Sequence, residues 1–183
     1  MEPIRILGRI GLVAGLILSA LVVLQCGKST EPEKMLVNRV YFAKDVEVTA
    51  GSRFALPIYF ENPVNIGAIN LPLDYDTSYM RCDSISFIDS RVSSFLIHTY
   101  GLHDSTPQIL IGAIDSAAGA EPGTGLFAKA YFWAYGFTPD TTLTVWSPTS
   151  IHSGLNLGFR DTSLTGTPII PEFEVGSIRV NAQ

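Results

Sequence analysis

The sequence predicts an all-β protein, an antiparallel β-sandwich, and three observations carry the prediction. Apolar and polar side chains alternate through two adjoining segments between Gly51 and Asp76. About nine or ten short segments with strand character recur along the chain, divided by Gly, Pro, Asp and Ser. No amphipathic helical pattern separates them, which argues against a parallel sheet with crossover helices.

In the first segment Phe54, Leu56, Ile58 and Phe60 share one face, and Arg53, Ala55, Pro57, Tyr59 and Glu61 the other. A period of two is the signature of a strand, whose successive side chains leave the pleat on opposite sides. In the second, Ile69, Leu71, Leu73 and Tyr75 alternate with Asn70, Pro72, Asp74 and Asp76. Between them Asn62-Pro63-Val64-Asn65 is turn chemistry, so the two read as an antiparallel pair that a second apolar sheet must cover.

Upstream, Leu36 to Phe42 and Val46 to Val48 form one strand broken at Ala43-Lys44-Asp45. Downstream, Thr77-Ser78-Tyr79-Met80 is a tight turn that drops Met80 onto the core. Arg81 to Ile88 alternates again, with Cys82, Ser84 and Ser86 opposite Asp83, Ile85 and Phe87. Further strands are expected at Phe95 to Tyr100, Gln108 to Ile114, Leu126 to Tyr135, Thr142 to Trp146, Leu155 to Arg160 and Gly176 to Val180.

The 183 residues, 46% hydrophobic, suit one domain with a real core, and 16 Gly with 11 Pro suit a turn-rich one. Net charge is -5, and the 12 Lys and Arg are scattered, so no basic patch for nucleic acid is expected. Two cysteines, Cys26 and Cys82, cannot make a disulfide framework. Cys82 reads as a buried free thiol.

The N-terminus is of another kind. Arg5 and Arg9 precede an uncharged apolar run, Ile10 to Leu24. That order describes an export signal, so residues 1–25 are expected to be a signal peptide or signal anchor. Leu21 to Gly27 resembles a bacterial lipoprotein signal, in which Cys26 would carry lipid; Gln25 stands where a small residue is usual. Residues 26–36 then serve as lipid-attachment site and tether, and 37–183 as the domain. The expected location is the bacterial cell envelope, membrane-anchored, periplasmic or surface-exposed.

Four places between Asn38 and Val180 resemble one family when taken in order. They are Val46 to Gly51 leading into the strand with Pro57, Ile66 to Asp76 ending Leu-Asp-Tyr-Asp, Gly125 to Phe132, and Gly176 to Val180. Together they resemble a cohesin domain, the receptor module of bacterial cellulosomes and of many noncellulosomal surface proteins. The resemblance implies a nine-stranded antiparallel jelly-roll sandwich, related in fold to some carbohydrate-binding modules, that binds the dockerin of another protein. It places the contact at Ala68 and Asn70 on one strand and at Ile111, Ile114 and Ser116 on another. Ala68 and Ile114 stand where well-known cohesins carry an amide and a carboxylate. Calcium in such complexes belongs to the dockerin, so no metal or other cofactor is implied here.

A second feature is the strand with Phe127, Lys129, Tyr131, Trp133 and Tyr135 on one face and Leu126, Ala128, Ala130, Phe132 and Ala134 on the other. If the small face is inward, as the resemblance implies, Tyr131, Trp133 and Tyr135 form an outer row about 7 Å apart. Such a row can anchor a protein partner or stack on a polysaccharide. If the large face is inward, the row is core.

Catalysis is not expected. His103-Asp104-Ser105 are neighbours in a loop without a nucleophile elbow, and His98, His103 and His152 lack metal-ligand spacing. Asp74, Asp76, Asp83 and Asp89 match no calcium loop and read as solvated strand ends.

Overall fold

The computed structural model describes residues 35–102, 108–115, 118–136, 143–147, 156–163 and 166–182. The expected export segment, Cys26 and the tether up to Lys34 lie outside the described residues. Among the described residues there are thirteen strands and no helix. In chain order they are β1 (Arg39–Phe42), β2 (Val46–Thr49), β3 (Ser52–Asn62), β4 (Ile66–Tyr75), β5 (Met80–Ser86), β6 (Ile97–Leu102) and β7 (Gln108–Ile114). There follow β8 (Gly123–Ala134), β9 (Leu143–Trp146), β10 (Gly158–Asp161), β11 (Pro168–Ile169), β12 (Glu172–Phe173) and β13 (Gly176–Asn181).

Two sheets make the sandwich. The first runs β12-β1-β3-β8-β5. In the second, β4 carries β7 and then β6 on one edge, and on the other β10 with β11 beside its first half and β9, β13 and β2 beyond its last residues. The sheets are mixed rather than wholly antiparallel, because β1 pairs parallel with β12 and β2 parallel with β13. The expected count of nine strands falls short because β1 and β2 separate and because β11 and β12 are only two residues long.

Asp45 causes the separation. Its φ of 55° is a left-handed conformation that Asp tolerates better than most side chains. There the chain leaves the first sheet and enters the second.

The alternation of Phe54 to Phe60 and Ile69 to Tyr75 is borne out. Leu56, Ile58, Phe60, Ile69, Leu71, Leu73 and Tyr75 are buried, with Phe54 packed at the margin. Their pairing is not. β3 hydrogen-bonds to β1 and β8, and β4 to β7, β9 and β10, so residues 62–66 cross between sheets instead of closing a hairpin. The crossing is held by Asn62, whose Nδ2 donates to the carbonyls of Val64 (2.7 Å) and Glu121 (3.0 Å). Asn62 Oδ1 accepts from Arg91 Nη1 at 2.9 Å, and the Arg91 guanidinium lies 4.4 Å from the centre of the Phe60 ring.

Phe60 joins the two layers, meeting Phe127 of β8 and Phe159 of β10 edge-on at 6.1 and 6.0 Å. Tyr75 meets Phe132 the same way at 5.3 Å. Ala128, Ala130 and Ala134 leave room for these rings. Each fully buried large side chain contributes about 1.5–3 kcal/mol, so the core is strong without disulfides. The turn after β4 forms as expected: Met80 N donates to Asp76 O (3.3 Å), Ser78 N to Asp76 Oδ1 (2.8 Å), and Met80 is buried.

Two bulges correct the expected faces. In β8 the register slips between the partners of Ile58 and Tyr59, so Phe127 and Ala128 both turn inward and Leu126 outward. In β5 the slip lies between Cys82 and Ser84, so Met80, Cys82 and Ile85 are all buried while Asp83 swings outward. A bulge adds one residue to one strand and reverses the parity beyond it.

Candidate partner-binding face

The outer face of β6, β7, β4 and β10 is laid out in cross-strand rows. The first row runs Ile97, Ile114, Ala68, Arg160 and on to Pro168 of β11. The second is Thr99, Gly112, Asn70 and Gly158. The third is Gly101, Leu110 and Pro72, and the fourth Gln108, Asp74 and Trp146. With strands about 4.8 Å apart and rows about 7 Å apart, the face spans about 20 Å in each direction.

Ile97 is 47% exposed and Ile114 46%, and they stand directly opposite each other. They form an apolar corner of the face beside the half-buried Ala68. Gly112 keeps the middle of the face low: a Cβ there would lie 3.0 Å from Thr99 Cγ2. Asn70 is fixed by donation from Nδ2 to Asn156 O at 2.6 Å, which leaves Oδ1 as an acceptor on the surface.

Asp74 is not a solvated strand end. Its Oδ1 is buried without a hydrogen-bond partner, and loss of solvent raises its carboxyl above the usual carboxylate range, partly offset by a hydrogen bond from Gln108. The other three acidic candidates differ. Asp76 caps a turn, Asp83 pairs with two arginines and Asp89 is exposed.

Of the residues expected to meet a partner, Ala68, Asn70 and Ile114 lie together on this face. Ile111 does not. It pairs with Leu71, points into the core and is 0% exposed. Ile111 and Ile114 are an odd number of residues apart in an unbroken strand, so they cannot share a face. Ser116 lies outside the described residues. Ile97, Thr99, Leu110 and Trp146 belong to the face but were not singled out from sequence; strand parity within Gln108 to Ile114 is the signal that would have given Leu110.

The aromatic row lies on the opposite side of the sandwich, on the outer face of β8. Trp133 is 37% exposed, Tyr135 49%, and Tyr131 is half-buried. The Tyr135 hydroxyl donates to the Thr77 carbonyl.

No catalytic constellation is found among the described residues, nor any His, Cys, Asp and Glu group able to hold a metal. His98, on the edge strand, contacts Val92 O through Nε2 at 2.6 Å and packs against Phe87. His103 and His152 lie outside the described residues. Cys82 is buried and free, and burial pushes its thiol up to about 12.

No protein-family model and no curated protein matches the sequence. Solved structures do. A type I cohesin from Clostridium thermocellum, solved in complex with a dockerin, is similar with a TM-score of 0.65 at 19% identity, covering 84% of this chain and 99% of that one. The fold is the cohesin fold. The seventh ScaB type I cohesin of Pseudobacteroides cellulosolvens is similar at TM-score 0.64 and 21% identity, over 81% of this chain and 95% of that one. A non-cellulosomal cohesin from the archaeon Archaeoglobus fulgidus gives 0.61 and 18%, over 79% and 91%. The cohesin fold thus accounts for the two-sheet sandwich.

Proposed function

We propose that this chain is a non-enzymatic, cohesin-like binding module whose β6-β7-β4-β10 face receives a small helical protein module of the dockerin type. The observation that carries this reading is the Ile97–Ile114 pair, half-exposed at the β6–β7 corner of a flat face with Ala68 and Asn70 beside it. Apolar contact there would supply affinity, and Asn70 in the adjoining row would supply specificity through the acceptor oxygen it leaves on the surface. The C. thermocellum cohesin solved with a dockerin supports the class of partner.

We also propose that residues 1–25 direct export and that Cys26 carries the lipid anchor, holding the module at the cell envelope. Mass spectrometry of the mature N-terminus tests this. An unprocessed chain with a free Cys26 removes the anchor proposal.

The partner reading is tested by calorimetric titration of the chain with a panel of type I dockerins. Binding lost in Ile114→Asp and kept in Trp133→Ala supports it. A panel without a single binder, or binding indifferent to Ile114→Asp, removes it.

A further inference from the structure

We propose that the outer face of the first sheet, around Trp133, is a second binding site, and that its ligand is a carboxylated polysaccharide built of uronic acid residues. The site is independent of the Ile114 face and uses different strands.

Trp133 stands in register between Arg53 of β3 and Arg81 of β5. Both arginines reach the same carboxylate. Arg53 Nη2 lies 2.9 Å from Asp83 Oδ2, and Arg81 Nη2 lies 3.2 Å from Asp83 Oδ1. The β5 bulge that turns Asp83 outward thus leaves two cations sharing one anion beside an exposed indole. The next ion pair on this face, Lys129 with Asp89 at 3.8 Å, is balanced. Among the described residues a surplus positive charge therefore sits at Trp133, in a chain whose formal net charge is -5.

The neighbouring row brings Ala55, Tyr131 and Ser84 together, over a shallow depression that Arg53 also lines. Charge and shape select one chemistry. A pyranose presents an apolar C–H face suited to indole and phenol rings, and Tyr131 and Trp133 offer two such surfaces about 7 Å apart along one strand. The carboxylate of a uronic acid matches the planar fork of an arginine that Asp83 does not saturate. Sugar hydroxyls then find the hydroxyls of Ser84 and Tyr131. A neutral glucan leaves the surplus arginine unanswered, and an acidic peptide has no ring for each aromatic. Tyr135, 49% exposed, extends the line.

The test is affinity electrophoresis of the full chain in mild detergent, in gels containing polygalacturonate, hydroxyethyl cellulose or poly-glutamate. Retardation is expected in polygalacturonate alone and should decline with added salt. Trp133→Ala should weaken it by about tenfold or more, as loss of a central aromatic anchor does. Arg81→Gln, at a side chain 70% exposed, should weaken it several-fold, while Ile114→Asp should leave it unchanged. Equal retardation by poly-glutamate makes the site a receptor for acidic polypeptides and overturns the proposal. So does retardation by the neutral glucan, its absence from every gel, or polygalacturonate binding that survives both Trp133→Ala and Arg81→Gln.

Discussion

Arg39 closes on Glu61 across the β1–β3 pair, Nη2 to Oε2 at 2.7 Å and Nε to Oε2 at 2.9 Å, at a point where the Glu61 side chain has no exposed surface. The same guanidinium reaches Glu174 Oε1 at 2.8 Å and lies 4.8 Å from the centre of the Tyr41 ring. Val37 N donates to Glu61 Oε1 at 3.1 Å, so the buried carboxylate also holds the chain entering β1.

Removing one partner of a buried pair strands the other charge. Arg39→Met is expected to lower unfolding free energy by about 3 kcal/mol, measured by urea denaturation. A loss within the error of the measurement would show that Glu61 is satisfied without it.

The β8 bulge makes opposite predictions for two aromatic residues six apart on one strand. Phe127, wholly buried between Phe60 and Phe87, should cost about 3–5 kcal/mol on replacement by Ala. Trp133→Ala should cost about 1 kcal/mol or less, since its ring is partly in water. Thermal unfolding of the two variants side by side checks the order, and reversal would place the bulge elsewhere.

Cys82 should be inert. With its thiol pushed up to about 12 by burial, the native chain should resist alkylation at pH 8 and react only after unfolding. Ionisation of the thiol occurs first in the unfolded chain, so its contribution to stability is present below about pH 9 and lost as pH rises towards about 12. Cys82→Ala should flatten that alkaline decline in a pH series of denaturation midpoints.

Asp74 gives the acid counterpart. Its raised carboxyl pKa means that the folded state holds a proton the unfolded state gives up sooner. Stability from this group is therefore present below the ordinary aspartate range and lost as pH rises through the raised value. Asp74→Asn should gain on the wild type over that interval and stay ahead at neutral pH. An advantage that shrinks as pH rises contradicts the assignment.

Period two made β3 and β4 legible, because Phe54 to Phe60 and Ile69 to Tyr75 alternate in sequence, whereas the apolar run Ile109-Leu110-Ile111 of β7 hides that Ile111 faces the core. Parity counting fails wherever a residue is inserted, and Phe127 and Asp83 are such insertions; nothing in their side chains announces a bulge. The connection 62–66 looked like a hairpin because Asn and Pro mark any reversal, whether it stays within a sheet or leaves it. What decides the crossing is Asn62 bonding to Glu121 and Arg91, partners remote in sequence. β11 and β12 are too short to carry any period. The candidate face was half legible: the family resemblance put Ala68, Asn70 and Ile114 on it, but Ile97 depends on β6 lying against β7, which only the pairing reveals.

The parallel pairing of β1 with β12 and of β2 with β13 joins the first strands made to the last. Ribosomal synthesis delivers β12 and β13 well after β1 and β2, so neither sheet can be finished until those later strands have been added. Both sheets therefore stay open, and the fold unlocked, until β12 and β13 have emerged.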